Sequence, residues 1–425
     1  MSIIFGFVLI TPVNASITPI FSIPGNTSLV FPSEEVDQLS YIDYGPLNVP
    51  DYFQNTDDSG MSSQRFEDDA KYNLITFVNP ISVGSDNVNI QITLYGTLYN
   101  ATLQRINFKN IDDGVYSYIG NLDSLENSSI SLVATDAGLI DASIEFNGDS
   151  IVVMPVQNRE YTQRTPHPLH IVYSENSLPQ SDSRVLCGMD DFVDIINGSF
   201  SETVIPSRLD ISSVQVNILF ATDSEFYGSQ GNWITKADKL ITQSYNSYAR
   251  SDIKVYFNVV GYDISKMNDL DNHPLIESKP FEACDSIFSN QYLNGKNADI
   301  VMYLGGYDAD NDVVGEGDWP TNRGRAAWMQ MIPDGNSGSS TPYTASEHSK
   351  GYLFTHELGH NFGATHPKHY VTLDGRHTVM SPSYVDFNHQ LYDFSTSESV
   401  YSLGNAYYDN ANLIRQYRSM VSNYA

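Results

Sequence analysis

Alternation of apolar and polar positions marks the first part of the chain. Between about residues 73 and 156 apolar side chains recur at every second position, as in "VNIQITLY", which starts at Val88. A period of two is that of half-buried strands. Further on, two apolar runs flank Asn147-Gly148, a pair that tolerates the positive φ of a tight hairpin. The pattern predicts a β-rich unit that ends near residues 170–173.

The pattern changes at Val214, where strands and helices begin to alternate. The run "VQVNILFAT" is continuously apolar, which is typical of a strand covered on both faces. Apolar residues then recur at steps of three and four from Trp233 to Tyr248, which predicts a helix with one buried stripe. Strands are predicted in "IKVYFNVVGY", "ADIVMYL" and "GRAAWMQMI", with a weaker helix around residues 281–292. This order predicts an α/β fold with a mainly parallel sheet.

The segment between these two patterns has the composition of a connector. Residues 174–213 lack sustained periodicity and carry Ser, Asp, Asn and Pro, which favours an exposed stretch. At 425 residues the chain is long enough for two folded units. The predicted organisation is a leader at 1–15, a β-rich unit at 16–180, a linker at 181–212 and an α/β unit at 213–425.

The first residues have the features of a signal peptide. "MSIIFGFVLITPVNAS" is apolar and ends in the small or short residues Val13, Asn14 and Ala15. A buried strand or a misplaced start is the alternative, because no Lys or Arg precedes the apolar run. No later stretch reaches the roughly 20 apolar residues of a spanning helix. We therefore expect a secreted or cell-surface protein that is not held in a membrane in its mature form.

The net charge of the chain argues against two classes of partner. The chain has 51 acidic and 22 basic residues, a formal net charge of -29, which would repel a phosphate backbone and an anionic membrane surface alike. Nucleic acid is therefore not expected as a partner. Neither the substrate nor the oligomeric state follows from the charge.

Candidate chemistry is concentrated in one short segment. Seven of the ten histidines lie between His348 and His389, and in their midst is "HELGHNFGATH". Its first two histidines, His356 and His360, are four residues apart, so on a helix they leave the same face and can share one ion. Glu357 points about 100° away, where it can reach a water beside the ion without binding the ion.

A third histidine can complete the site. Gly363, three residues after His360, can take the left-handed conformation, end the helix and reverse the chain, which would bring His366 back as third ligand. Three neutral imidazoles leave one tetrahedral position open, as in a catalytic zinc site. The alternative is a helix whose histidines are ordinary core residues.

These residues resemble a known family. HExxHxxGxxH marks the metzincin zinc metalloproteases, and "HELGHNFGATH" is most similar to the reprolysin, or adamalysin, branch. The resemblance implies a metzincin catalytic domain that hydrolyses peptide bonds, with Met380 of "HTVMSP" in a methionine turn beneath the metal. Pro367 differs from the Asp usual in that branch, and Pro382 stands where related branches have a metal-contacting Tyr. We do not assign ligand roles to His369 or His377, whose spacing does not fit.

The resemblance extends upstream to a propeptide. "VVMPV" and "HPLHIVYSEN" are similar to the end of a β-rich propeptide, and Cys187 in "RVLCGMDD" is similar to a cysteine switch, in which a thiolate fills the open zinc position. A disulfide between Cys187 and Cys284, the only two cysteines, is the alternative. By resemblance, "GRAAWMQMI" would be the edge strand that pairs with substrate, and residues after Met380 would wall a substrate pocket.

Two functional hypotheses follow. The first is a secreted zinc endopeptidase, made as a zymogen, that cleaves proteins or peptides with a zinc-activated water and Glu357 as general base. The second is a metal-binding adhesion or interaction module whose catalysis has lapsed. A calcium loop in "DADNDVVGEGD", from Asp308 to Asp318, is a further possibility, although a solvated loop is favoured because the spacing of an EF-hand is incomplete.

Overall fold

The computed structural model divides the strands of the chain between two sheets. It describes these residues: 18–23, 41–46, 72–77, 84–95, 97–109, 113–125, 128–155, 168–177, 185–187, 213–229, 233–307, 313–320, 324–332, 346–384, 390–397 and 403–425. The predicted leader at 1–15 and most of the predicted linker at 181–212 lie outside the described residues.

The first sheet has ten strands in the order β1-β4-β5-β6-β7-β8-β9-β10-β3-β2. All neighbours are antiparallel except β1 and β4. The strands are β1 (Thr18–Ile23), β2 (Tyr41–Pro46), β3 (Tyr72–Phe77), β4 (Asn87–Leu94), β5 (Thr97–Ile106), β6 (Val115–Leu122), β7 (Ser129–Thr135), β8 (Ile140–Phe146), β9 (Asp149–Pro155) and β10 (Leu169–Ser174). We call the described residues 18–177 the N-terminal unit.

Local signals explain the pairing in this sheet. Asn147 and Gly148 have φ of 50° and 79° and join β8 to β9 in a two-residue hairpin, with Phe146 opposite Asp149. On β8 the residues Ile140, Ala142 and Ile144 face an apolar core that belongs to this unit. The period of two in the sequence therefore places one face of the sheet in its own core.

The second sheet has seven strands in the order β13-β12-β14-β16-β15-β11-β17. The four neighbouring strands β13, β12, β14 and β16 are parallel to one another, whereas β15 is antiparallel to β16. The strands are β11 (Val185–Cys187), β12 (Val214–Thr222), β13 (Val255–Asp263), β14 (Ile300–Gly305), β15 (Val313–Gly317), β16 (Ala326–Gln330) and β17 (Ser383–Tyr384). The expected mixed α/β fold is confirmed, and the parallel strands are those predicted from the sequence.

Helices cover this sheet. They are α1 (Ser224–Ser229), α2 (Trp233–Arg250), α3 (Met267–Asp271), α4 (Pro280–Ile287), α5 (Asn290–Gly295), α6 (Glu347–Asn361) and α7 (Asn410–Val421). The weaker helix expected around residues 281–292 is two helices, because Phe288 and Ser289 interrupt it and Ser289 caps α5. We call residues 213–425 the C-terminal unit. Among the described residues, none of the helices combines the length and apolar character needed to cross a bilayer.

Helix α2 differs from the prediction of a single buried stripe. Its apolar face packs into the core of the C-terminal unit, as expected, but its polar face is also buried, with Lys236, Lys239 and Gln243 no more than 4% exposed. The N-terminal unit covers that face through β6, β7 and β8. The sequence pattern within the helix could not show this, because the covering surface is itself polar.

One buried histidine makes the N-terminal unit sensitive to acid. The Nε2 atom of His170 accepts the Ile140 N–H at 2.9 Å, so the ring is neutral, and burial lowers its pKa to about 3. In the unfolded chain the same ring takes up a proton below about pH 6.5. Protonation therefore favours unfolding, and the contribution of His170 to the free energy of unfolding is lost as the pH falls from about 6.5 towards 3.

We expect this group alone to lower the free energy of unfolding by roughly 2 kcal/mol between pH 7 and pH 5. Urea denaturation at several pH values measures the effect, and His170→Gln should flatten the pH dependence. The control is His273→Gln, since His273 contacts Ser286 at the surface of the C-terminal unit. An unchanged pH slope in His170→Gln would show that this ring is not the acid-sensitive group.

Candidate metal centre

Helix α6 carries His356, Glu357 and His360. The helix begins after Ser346, whose side chain accepts the Ser349 N–H at 2.9 Å, and it is buried along its whole length. It ends where Gly363 takes a φ of +85°. The Gly363 N–H donates to the His360 carbonyl at 2.8 Å and the Ala364 N–H to the Gly359 carbonyl at 3.0 Å, the bond pair of a Schellman motif.

The reversal at Gly363 brings three imidazoles together. The Nε2 atom of His356 lies 3.0 Å from that of His366 and 3.1 Å from that of His360, and the His360 and His366 atoms are 3.1 Å apart. The Nδ1 atoms of His356 and His360 face the carbonyls of Val379 at 2.7 Å and Ala364 at 3.0 Å. A carbonyl only accepts, so each Nδ1 carries the proton and each Nε2 presents a lone pair.

Electrostatics keep these rings neutral. Burial, followed by the neighbouring imidazoles, holds the pKa of His356 and of His360 well below the usual histidine value. Burial lowers the pKa of His366 to about 4, and His369 adds to that shift. Neutral imidazoles are the form that binds metal ions. Converging lone pairs that cannot all share a proton are satisfied by one cation.

Cys187 is the fourth donor in this cluster. Its Sγ atom lies 3.5 Å from the His360 Nε2 atom, and the ligand atoms of Cys187 and the three histidines are all within 4.8 Å of one another. Three imidazole nitrogens and one sulfur suit zinc. The donor set does not suit calcium, which takes oxygen ligands. The residues present therefore fit a zinc ion.

Glu357 lies beside the cluster and is fully buried. One carboxylate oxygen, Oε2, is 3.7 Å from the Cys187 Sγ atom. The other, Oε1, faces β15, where a Cβ atom added to Gly315 would come within 2.5 Å of it. The carboxylate is thus confined between the sulfur and a glycine of the neighbouring strand.

Met380 lies beneath the helix. It is fully buried, and its Sδ atom is 2.8 Å from where a Cβ atom on Gly359 would be. The residue before it, Val379, supplies the carbonyl that faces the His356 ring. The turn that contains Met380 thereby supports the helix and orients one histidine.

The two other histidines considered from the sequence lie outside the cluster. His369 directs Nδ1 to the His366 carbonyl at 2.7 Å and stacks on His377, with ring centroids 5.7 Å apart. The His377 Nδ1 atom is 3.2 Å from the Ser381 hydroxyl. Neither is among the donors that surround the three-histidine site.

The alternative disulfide is not formed. Neither Cys187 nor Cys284 forms a disulfide, and both are buried. They belong to different apolar clusters, Cys187 to the one around α6 and Cys284 to the one around α4. Burial raises the pKa of the Cys284 thiol well above its usual value, so this side chain stays protonated and packs as an apolar group.

The expectation that "GRAAWMQMI" forms the edge strand was wrong. Its strand, β16, lies between β14 and β15. The strand next to the cluster is β15, and β11, which carries Cys187, pairs with it in parallel, Cys187 opposite Gly315. On the other side of β11 is β17, antiparallel, with Val185 opposite Tyr384. A strand from upstream of the C-terminal unit therefore extends its sheet across the metal site.

The calcium-loop possibility between Asp308 and Asp318 finds no support. Residues 313–317 of that segment form β15, whereas residues 308–312 lie outside the described part of the chain. Sequence reasoning missed β15 because "VVGEG" is short, is rich in glycine and has acidic residues around it. One feature of the sequence could have indicated the strand. Gly315 and Gly317 are two residues apart, so in a strand they lie on the same face and leave it without side chains.

The C-terminal unit is similar to a known family of metallopeptidases. Residues 212–395 match the family model Reprolysin_5, described as Metallo-peptidase family M12. No curated protein matches the chain. The resemblance drawn from "HELGHNFGATH" agrees with the family match.

Two solved structures are similar at low identity. The crystal structure of metalloproteinase-II from Bacteroides fragilis has 13% identity and a TM-score of 0.43, and the match covers 74% of this chain and 89% of that one. A structure titled "Structure of a chaperone-substrate complex" has 16% identity and a TM-score of 0.37, with 50% of this chain covered. The chain spans only 35% of the length of that second protein. At these scores neither likeness identifies an activity. The family match over residues 212–395 shows that this part of the chain is similar to the metallopeptidases of family M12.

Proposed function

We propose that this protein is a zinc-dependent endopeptidase made as a latent precursor. The observation that carries the proposal is the cluster itself, in which three histidines and a buried glutamate converge while Cys187, from outside the C-terminal unit, occupies the fourth position. His356, His360 and His366 would hold the ion. Zinc, when bound, supplies a Lewis acid that polarises a peptide carbonyl and makes water more acidic.

Glu357 would move the proton. Its carboxylate is adjacent to the position that the Cys187 sulfur occupies, so after Cys187 leaves, the carboxylate faces whatever takes that place. A carboxylate oxygen of Glu357 would accept a proton from the attacking water and then donate it to the nitrogen of the departing amine. No covalent bond between enzyme and substrate is required.

An extended substrate would take the place of β11. That strand pairs on one side with β15 and on the other with β17, so its removal exposes backbone donors and acceptors on both. Peptides bind such edges by adding a strand. Residues after Met380, which include β17, would then form the far wall of the substrate groove.

The remaining parts of the proposal rest on the sequence. Residues 1–15 would direct export, so that the protein is secreted or at the cell surface. Residues 16–180 would be a propeptide domain, residues 181–212 a linker with the cysteine switch, and residues 213–425 the catalytic domain. Loss of roughly the first 190 to 210 residues would activate the enzyme.

The test uses the chain after its N-terminal part has been cut away and separated. This protein is incubated with an unfolded protein, with and without a zinc chelator, and the new chain ends are sequenced. We expect cleavage that the chelator abolishes and that added zinc restores. Absence of cleavage by zinc-loaded protein, or cleavage that the chelator leaves unchanged, would refute the proposal.

Cys187→Ser tests latency separately. Since serine is a poorer zinc ligand than a thiolate, we expect a small zinc-binding probe such as acetohydroxamate to bind the zinc-loaded precursor at least about tenfold more tightly, the gain expected when a competing closed state is removed. Protein cleavage should rise less, because β11 still pairs with β15. Cys284→Ser is the matched control, and equal probe affinity in both variants would contradict the switch.

A further inference from the structure

The outward face of the N-terminal sheet is polar and yet buried. Ser131 on β7 and Ser143 on β8 alternate with core residues and are 4% and 2% exposed. They contact α2, where the Asn246 side-chain amide donates to the Ser131 hydroxyl at 3.4 Å and that of Gln243 to the Ser143 hydroxyl at 3.2 Å. Polar contacts of this kind are typical of units that separate, whereas permanent interfaces resemble an apolar core.

A buried ionic network lies at the centre of this contact. The Asp141 carboxylate of β8 is 2.8 Å from the Lys236 Nζ atom and 2.6 Å from that of Lys239. Both lysines also contact Glu347, at 3.0 and 3.1 Å, and Lys350 contacts it at 2.9 Å. The C-terminal unit thus contributes three lysines and one glutamate, and Asp141 brings negative charge to a surface with excess positive charge.

The N-terminal unit also caps the metal-binding helix. One Glu175 carboxylate oxygen accepts the N–H groups of Glu347 at 2.8 Å and His348 at 3.1 Å, which are first-turn donors without partners inside α6. The His348 ring in turn contacts Glu145 of β8 at 3.1 Å. An oxygen that accepts first-turn N–H groups stabilises the start of a helix, so the N-terminal unit supports α6 at this point.

The segment that follows β5 adds an apolar contact at the edge of the second sheet. The residues after β5 place Phe108 in the core of the C-terminal unit, with its ring 5.5 Å from that of Tyr245. The Val259 N–H of β13 donates to the Phe108 carbonyl at 2.6 Å. Next to it, Lys109 forms a buried ion pair with Asp238 of α2 at 2.5 Å.

The contact is not close-packed throughout. A cavity of about 60 Å³ lies between the units, among Asp149 of the N-terminal unit and Arg250, Arg376 and Gln390 of the C-terminal unit. That volume has room for a few water molecules. An interface that combines charge, polar contacts and a cavity large enough for water is one that can dissociate without exposing a large apolar core.

We propose that the polar face of α2 and the first turn of α6 form a docking surface for the N-terminal unit that survives cleavage of the connecting segment. This rests on the proposed function. A cut between residues 190 and 211 leaves β11 and Cys187 on the N-terminal piece, so the sulfur stays at the metal while that piece is bound. Latency then ends when the two pieces dissociate, and the cut alone does not end it.

The experiment uses the full zinc-loaded chain with the site of a sequence-specific protease inserted between residues 190 and 211. Association is measured in a Glu357→Gln background, by size-exclusion chromatography and a titration, so that the result does not depend on activity. We expect the cut pieces to co-elute at micromolar concentration. Asp141→Asn should weaken their affinity at least about 30-fold, since the three buried lysines would then have only the Glu347 carboxylate to balance their charge.

Two further variants keep the test decisive. Asp299→Asn is the matched control, because this buried carboxylate has its hydrogen-bond partners, the N–H groups of Asn217 and Ala425, in the C-terminal unit. Lys239→Met removes a partner of Asp141 from the other side, and in the double variant the two losses should not add. Separation of the parent pieces on cutting, or additive losses, would overturn the docking proposal.

Activity distinguishes this inference from the function on which it depends. With Glu357 present, the cut protein should stay latent while its pieces co-elute and become active on dilution below their dissociation constant. Activity in the co-eluting complex would overturn the docking proposal. Pieces that co-elute at micromolar concentration, separate only on dilution and then remain inactive with zinc would refute the peptidase function and leave the docking surface standing.

Discussion

Replacing Glu357 with glutamine is expected to lower kcat/KM for peptide cleavage by about 10² to 10⁴-fold, the usual contribution of a positioned general base. The amide has nearly the same shape as the carboxylate but cannot accept the proton of the attacking water. The three histidines are unchanged, so about one zinc ion per chain should still bind. Steady-state cleavage of a peptide by the separated C-terminal unit and metal analysis of the same sample measure both quantities.

The control for this substitution is Glu282→Gln. Glu282 lies on α4, is exposed and pairs with Lys279, so its loss should leave activity and zinc content unchanged. Full activity in Glu357→Gln would refute the assigned role. Absence of activity in the parent protein, with zinc bound and the N-terminal piece removed, would instead favour the alternative of a metal-binding module without catalysis.

Much of the fold follows from local pattern. The stripe that starts at Trp233 became α2, and Asn147-Gly148 became a hairpin, because a 3.6-residue period and a pair of residues that tolerate positive φ each act within a few positions. The burial of the polar face of α2 did not follow from its sequence. Lys236 and Lys239 are typical of a solvated face. They are buried because the N-terminal unit, whose Asp141 pairs with both, packs against this face from almost a hundred residues away in the sequence.

Part of the candidate site could likewise be predicted from local sequence, and part of it could not. His356, Glu357 and His360 lie within one helical turn, and Gly363 ends that helix, so their arrangement is encoded in consecutive residues. Cys187 is 170 residues from Glu357, and no spacing rule connects them. What joins them is the pairing of β11 with β15, a strand whose short, glycine-rich sequence did not indicate a strand.

Gly315 and Gly317 explain how closely β15 can approach α6. A Cβ atom on Gly317 would lie 2.3 Å from the Glu357 carbonyl oxygen and 3.1 Å from the His360 Cβ atom. A Cβ atom on Gly315 would meet the end of the Glu357 side chain and a methyl group of Leu353, at 2.5 and 2.7 Å. The first contact is with the helix backbone, which moves only if the whole helix moves. The second is with side-chain atoms that can turn aside.

Two alanine substitutions in β15 should therefore have separable effects. We expect Gly317→Ala to cost about 1–3 kcal/mol or more of unfolding free energy, the usual cost of overpacking a core, and to weaken zinc binding because α6 carries two of the ligands. Gly315→Ala should retain zinc and most of the stability but lower kcat, since Glu357 is displaced. Urea denaturation, zinc titration and peptide cleavage of both variants measure this, and equal effects on all three quantities would contradict the assignment of the two glycines to helix backbone and catalytic side chain.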